Sequence, residues 1–137
     1  MSVLRRHARA IWQAAVDAVR PEDLIRAALA ASGSPLQAAI AQAPRILVVG
    51  GGKAGAAMSG AIEDNLAHDV ERLEGLVNVP ADVVRPLRAI RLHAARPAGT
   101  NQPTAEGIAG AEEFVEILGA EEGVGRDGIF GGGWRGG

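Results

Sequence analysis

Apolar and polar positions change rhythm several times along this chain. From Leu4 to Val19, Leu4, Ile11, Ala15 and Val19 fall on one helical face, with Trp12 and Val16 beside it. That spacing predicts an amphipathic helix. Arg20-Pro21 interrupts it. Pro21 fixes φ for a first helical turn, and Glu22 and Asp23 suit its positive end, so a second helix is expected to about Ala31. Ser32-Gly33-Ser34-Pro35 closes that helix, and an Ala-rich segment leads to Pro44. Ile46 to Val49 is a short apolar run, the pattern of a strand buried on both faces. Three glycines, Gly50 to Gly52, make a turn. Helical periodicity then returns through Ala54, Met58, Ala61, Ile62 and Leu66.

Leu73 to Val79 predicts a second strand, ended by Pro80, and Ala89 to His93 a weaker third. Ala95 to Gly107 is rich in turn residues, and Thr104 is placed to cap a helix running to about Leu118. Strands interleaved with helices imply right-handed crossovers and a mainly parallel sheet. The expected fold is therefore α/β and Rossmann-like, with helices flanking the sheet. Ligands of such sheets gather at the carboxyl ends of the strands, where the triglycine turn falls. After Leu118 the pattern is lost. Residues 119–137 are nearly half glycine and read as a tail, disordered or out of frame, behind an α/β lobe of residues 1–118.

Composition narrows the functional classes. The net charge is −2 with no dense basic tract, which argues against a nucleic-acid partner. There is no cysteine, so neither a disulfide framework nor a thiolate metal site exists. His7, His68 and His93 are too far apart for metal-ligand spacing, and no apolar run is long enough to span a bilayer. The Arg-rich start, free of acids before Asp17, also fits a mitochondrial transit peptide. A surface helix is preferred, because a second helix follows across a single proline, and the expected location is the cytoplasm.

Three chemistries compete for Gly50 to Gly55. A P-loop fails: Ala54 stands where a Ser or Thr must hold Mg²⁺, and Leu47 where the loop's first glycine belongs. A dinucleotide fingerprint matches literally as Gly50-x-Gly52-x-x-Gly55. Its acidic partner is missing about twenty residues on, since the second strand ends at Asn78-Val79-Pro80. The third chemistry is an anion site. A cation in the first turn of a helix opposes the macrodipole, so Lys53 is misplaced there unless an anion sits beside it. Backbone N–H groups of Gly51 to Ala54 can cradle a phosphate or carboxylate while Lys53 adds a point charge. A plain strand–helix turn with its lysine in water is the competing structural reading.

Other candidates are sparser. Arg96 can grip a carboxylate or phosphate bidentately, and Asn101 and Thr104 can bond hydroxyls, if the loop after the third strand reaches the rim near Gly51. A plain surface loop explains the same residues. Ile129 to Gly137 allows another phosphate-holding turn after a fourth strand, or a disordered tail. Glu112, Glu113 and Glu116 read as the solvated face of the last helix. No catalytic triad, paired carboxylates or metal site can be assembled from the sequence.

"LRRHARAIWQAAVDAVRPEDLIRAAL" followed by "ILVVGGGKAGAAMSGAIED" resembles the opening of the type II glycerate kinases, over about Leu4 to Leu118. The resemblance implies a glycerate 2-kinase that uses ATP and Mg²⁺ to convert D-glycerate to 2-phosphoglycerate between two α/β lobes. It also implies that Lys53 is the functional lysine of the turn and that Gly50, Gly51 and Gly52 hold substrate or phosphate. Two departures stand out. Arg96 occupies the place of a motif histidine, that motif's aspartate is missing, and only Asn101 is left for a related role. A later Ser-Gly-Gly-Gly-Ser loop has Phe130-Gly-Gly-Gly-Trp134 as its nearest counterpart, with both serines lost. The expectation is an N-terminal fragment, ended by a frameshift near 119–125 and inactive alone. A nicotinamide-dependent reductase lobe and a non-enzymatic anion-binding module are the alternatives.

Overall fold

The computed structural model describes residues 2–119. The expected glycine turn at residues 129–137 lies outside them. Three helices lead in: α1 (Val3–Ala18), α2 (Pro21–Ala30) and α3 (Pro35–Gln42). Ser2 and Ser34 cap the first and third by accepting from Arg5 and Gln37, and Pro21 and Pro35 open the second and third. The Ala-rich segment before Pro44 is thus a helix of its own, made possible by a Ser-Pro start. The Arg72 guanidinium fastens its end, donating to the carbonyls of Ile40 and Ala43 and to Asp69.

The rest is a parallel α/β unit. Strands β1 (Ile46–Gly51), β2 (Leu73–Pro80) and β3 (Ile90–Arg96) form one sheet in the order β1-β2-β3, with both pairs parallel. Helix α4 (Gly55–Asn65) and a 3-10 turn, Ala67–Arg72, connect β1 to β2. A second 3-10 turn, Ala81–Val83, begins the link to β3, and α5 (Ala105–Gly119) follows β3. The expected mixed α/β fold with a parallel, helix-flanked sheet is what the chain forms. Thr104 caps α5 as the sequence predicts: its hydroxyl accepts from the Gly107 N–H at 3.0 Å and donates to the Ala95 carbonyl.

Helices α4 and α5 lie on opposite faces of the sheet. Ala56 of α4 packs with Leu73, Val77, Val79, Ile90 and Leu92, and Ile46 and Val48 close the same core. A side chain at Gly55 would strike Val77 and Val79, so the helix seats this closely only on glycine. On the other face Asn78 and His93 point to α5: the Asn78 amide donates to the Gly107 carbonyl, and the His93 Nε2 bonds the Glu106 carbonyl. Gly110 leaves the room both side chains need.

Three details depart from the sequence reading. β1 is not buried on both faces: it is an edge strand, and Val49 is 37% exposed. The inward face of α4 is Ala56, Ser59, Gly60 and Glu63, while Met58 is 41% exposed, because a close helix–sheet contact selects small residues over large apolar ones. Glu113 is no solvated acid but pairs with Arg91 of β3. Glu63, 2% exposed, is the chain's most thoroughly held carboxylate among the described residues. Its Oε1 accepts from the N–H groups of Ala89 (2.7 Å) and Ile90 (2.8 Å), and its Oε2 from that of Arg88 (2.8 Å). The Arg88 guanidinium also bonds the Glu63 carbonyl.

Helix α1 stands apart from this core. It buries none of its residues, and Leu4, Ile11 and Trp12 are 79%, 71% and 63% exposed. Among the described residues no helix is long and apolar enough to cross a membrane.

Candidate functional site

The carboxyl ends of three parallel strands make one rim, and the triglycine turn occupies its β1 corner. Gly50 and Gly51 belong to β1, and the chain leaves the sheet at Gly52. Gly52 has φ +141°, a conformation that an L side chain adopts only under strain. Its N–H is held by the Asn78 carbonyl at 2.9 Å, and its own carbonyl accepts from Gly55 at 3.2 Å. Gly52→Ala is therefore expected to cost about 1–3 kcal/mol, read as a lower midpoint in urea unfolding.

This geometry corrects the sequence reading of the cradle in two ways. Helix α4 starts at Gly55 with Ala54 as its cap residue, so Lys53 precedes the helix and does not sit in its first turn. Lysine is tolerated there because its side chain is exposed and clear of the first helical turn. The Gly52 N–H is also spent on the sheet, so the donors left in the turn are those of Lys53 and Ala54, which find no acceptor among the described residues. Ala54 offers no side-chain cap, and the first turn of α4 holds no acid. The positive end of the helix thus faces the rim unopposed, with the chain's one lysine beside it. Nothing lies within 4 Å of the positions where side chains at Gly50 and Gly52 would start, which leaves open space over the turn.

Arg96 and Asn101 do come together: the Arg96 Nη1 donates to the Asn101 Oδ1 at 3.3 Å. They share the rim with the turn but not its corner. Arg96 ends β3, and β2 lies between, so two inter-strand spacings of about 5 Å separate them from β1. Thr104 is likewise committed to capping α5.

Asp82 escapes a search by spacing alone. It is an exposed acid in the 3-10 turn directly after β2, at the same rim. The 3-10 turn Ala67–Arg72 lengthens the link between α4 and β2, so this acid comes later than the usual twenty residues. An allowance for that insertion is the signal that finds it.

The donors at the turn suit an anion. They are N–H groups, a lysine and a helix amino end, with no carboxylate among them, so the turn fits a phosphate of ATP or a sugar-acid carboxylate and does not fit Mg²⁺. Among the described residues no three His, Asp or Glu gather closely enough to hold a metal ion.

Fold and rim together define an open parallel α/β lobe with an anion-type glycine turn. The chain belongs to the family described as a domain of unknown function, DUF4147, whose model matches residues 7–124. No curated protein and no solved structure matches the chain.

Proposed function

We propose that this lobe carries the anion-holding half of a cytoplasmic glycerate kinase, which phosphorylates D-glycerate to 2-phosphoglycerate at the expense of ATP. The observation that carries the proposal is the single lysine, exposed at a glycine-only turn on the carboxyl rim, ahead of an uncapped helix. In this reading the Lys53 Nζ donates to an oxygen of the transferring phosphoryl group or of the glycerate carboxylate. The N–H groups of Lys53 and Ala54 donate to the same anion. Charge that builds on the equatorial phosphoryl oxygens is met by donors already in place, which is where phosphoryl transfer gains most. The resemblance to type II glycerate kinases in "ILVVGGGKAGAAMSGAIED" supports the choice of substrate.

Donors on this rim approach the ligand from one side only. The purified chain is therefore expected to bind without turning over. Titration calorimetry with 2-phosphoglycerate and with ATP should give binding that Lys53→Met weakens about 10- to 100-fold, the worth of a charge-assisted hydrogen bond. Turnover of ATP and D-glycerate at ordinary kinase rates would refute the one-sided site. Binding indifferent to Lys53 would refute the anion role.

Asp82 favours a second reading. An acid just past β2 is where a dinucleotide lobe holds its ribose, and Gly55 packs on β2 as the fingerprint's third glycine does. A fluorescence change with NADH that Asp82→Ala abolishes, without any response to ATP and glycerate, would establish that reading instead.

A further inference from the structure

The two faces of the sheet are served by different connections, and this decides where the chain can go next. The link from β2 to β3 stays on the α4 face: the Arg85 guanidinium donates to the Ala56 carbonyl, and the N–H groups of Arg88 to Ile90 bind Glu63. On that face the chain advances steadily, from β1 to β2 to β3. Helix α5 lies on the other face, descending from His93 at Glu106 to Arg91 at Glu113. Crossovers between parallel strands of one sheet are right-handed almost without exception. Moving the crossover to the opposite face reverses the direction in which a right-handed connection travels. A strand following α5 is thereby sent back past β2, to the outer edge of β1.

β1 is suited to receive it. Its outer edge has no strand partner among the described residues, and Val49 and Leu47 face the side that α5 leaves bare over β1. An apolar strand with an open edge is a template for pairing. The lengths also agree. The fifteen residues of α5 span about 22 Å and the seven of β3 about 23 Å, so Gly119 ends level with the strand starts, where a parallel strand begins.

Eighteen residues follow Gly119, and they repeat the pattern of β1. "RILVVGGGK" begins at Arg45, and "RDGIFGGGWR" begins at Arg126. In each, four residues separate the arginine from three glycines, the last two of the four are apolar, and a cation follows. Residues 120–125 are left as the connection, an ordinary length for a helix-to-strand loop.

We infer that Arg126 to Phe130 docks as a fourth parallel strand on the outer edge of β1, carrying Gly131 to Gly133 to the rim beside Gly50 to Gly52. Connections then leave β1 and the new strand on opposite faces, which makes the crevice between them the switch point where sheets of this kind lodge ligands. The group facing Lys53 becomes the second glycine turn, not the Arg96–Asn101 pair two strands away. The docking rests on topology and holds whether or not Lys53 binds an anion.

The full chain has no cysteine, so an introduced pair reports proximity directly. Val49→Cys with Phe130→Cys should close an intramolecular disulfide under mild oxidation, because neighbouring strands set Cα atoms about 4.8 Å apart. Arg91 stands at the level of Val49 on the other edge strand, through Leu76. Arg91→Cys with Phe130→Cys should therefore close at least about tenfold more slowly. Equal rates, faster closure at Arg91, or only intermolecular disulfides would overturn the docking. Amide exchange on the unmodified chain gives a second readout. Protection of the β1 amides that point away from β2 supports the docking, and exchange at unprotected rates overturns it.

Discussion

Glu63→Ala is expected to leave the chain largely unfolded at neutral pH, seen as loss of far-UV circular dichroism and of a cooperative urea transition. The substitution strands three N–H donors, those of Arg88, Ala89 and Ile90, at the start of β3. Each buried donor left without an acceptor costs about 1–3 kcal/mol, against a total stability of about 5–15 kcal/mol for a domain. Glu63→Gln should fall between the two: one amide oxygen can still serve Ala89 and Ile90, but the amide NH₂ then faces the Arg88 N–H. The acid limb of the stability profile gives an independent check. Burial pushes the Glu63 carboxyl up, but the N–H donors of Ala89, Arg88 and Ile90 and the Arg88 charge outweigh it and hold the group below its ordinary value. A carboxyl lowered on folding adds stability above its unfolded pKa, and that stability is lost as pH falls through the folded pKa. The gap between wild type and Glu63→Gln should therefore be widest near neutrality and close in acid.

Gly75→Ala carries the second large effect, of about 3 kcal/mol or more. Gly75 pairs with Val48 on one side and Ile90 on the other, in the middle of the central strand. A Cβ there would overlap the backbone carbonyl of Val48, which cannot rotate away as a side chain can. The β1–β2 ladder must then open, and with it goes the contact between the Gly52 N–H and the Asn78 carbonyl that shapes the turn. Both the urea midpoint and any ligand affinity of the turn should fall together. Gly52→Ala should disturb the turn while leaving the ladder in place.

Much of this architecture is legible in the sequence where one period dominates. The four-residue apolar run before the triglycine marks β1, and Thr104 after the Pro-rich loop marks the start of α5, because strand spacing and capping chemistry are local. What escaped was set by partners distant in the chain. Glu63 reads as a surface acid in "AIEDN", yet Ala56, Ser59, Gly60 and Glu63 repeat at i, i+3, i+4 and i+7. Small residues on that stripe hide the buried face from any search for large apolar ones, and the donors that make an acid tolerable there lie some 25 residues later. The edge position of β1 was hidden as well, since strand order comes from crossovers and not from composition. At the rim the sequence singled out Lys53 and the glycines. Only the structure shows that β2 keeps Arg96 and Asn101 away from them and that Asp82 stands nearby.

The solitary position of α1 has a practical spectroscopic consequence. The chain contains two tryptophans and no tyrosine. Trp12 is 63% exposed on a helix that buries nothing, so its emission should be red-shifted in the native protein and change little on denaturation. Fluorescence from that indole reports the leading helix and is blind to the sheet. Replacing Trp12 with phenylalanine would leave Trp134, next to the second glycine triplet, as the sole emitter and turn a silent melt into a reporter of the chain's last residues.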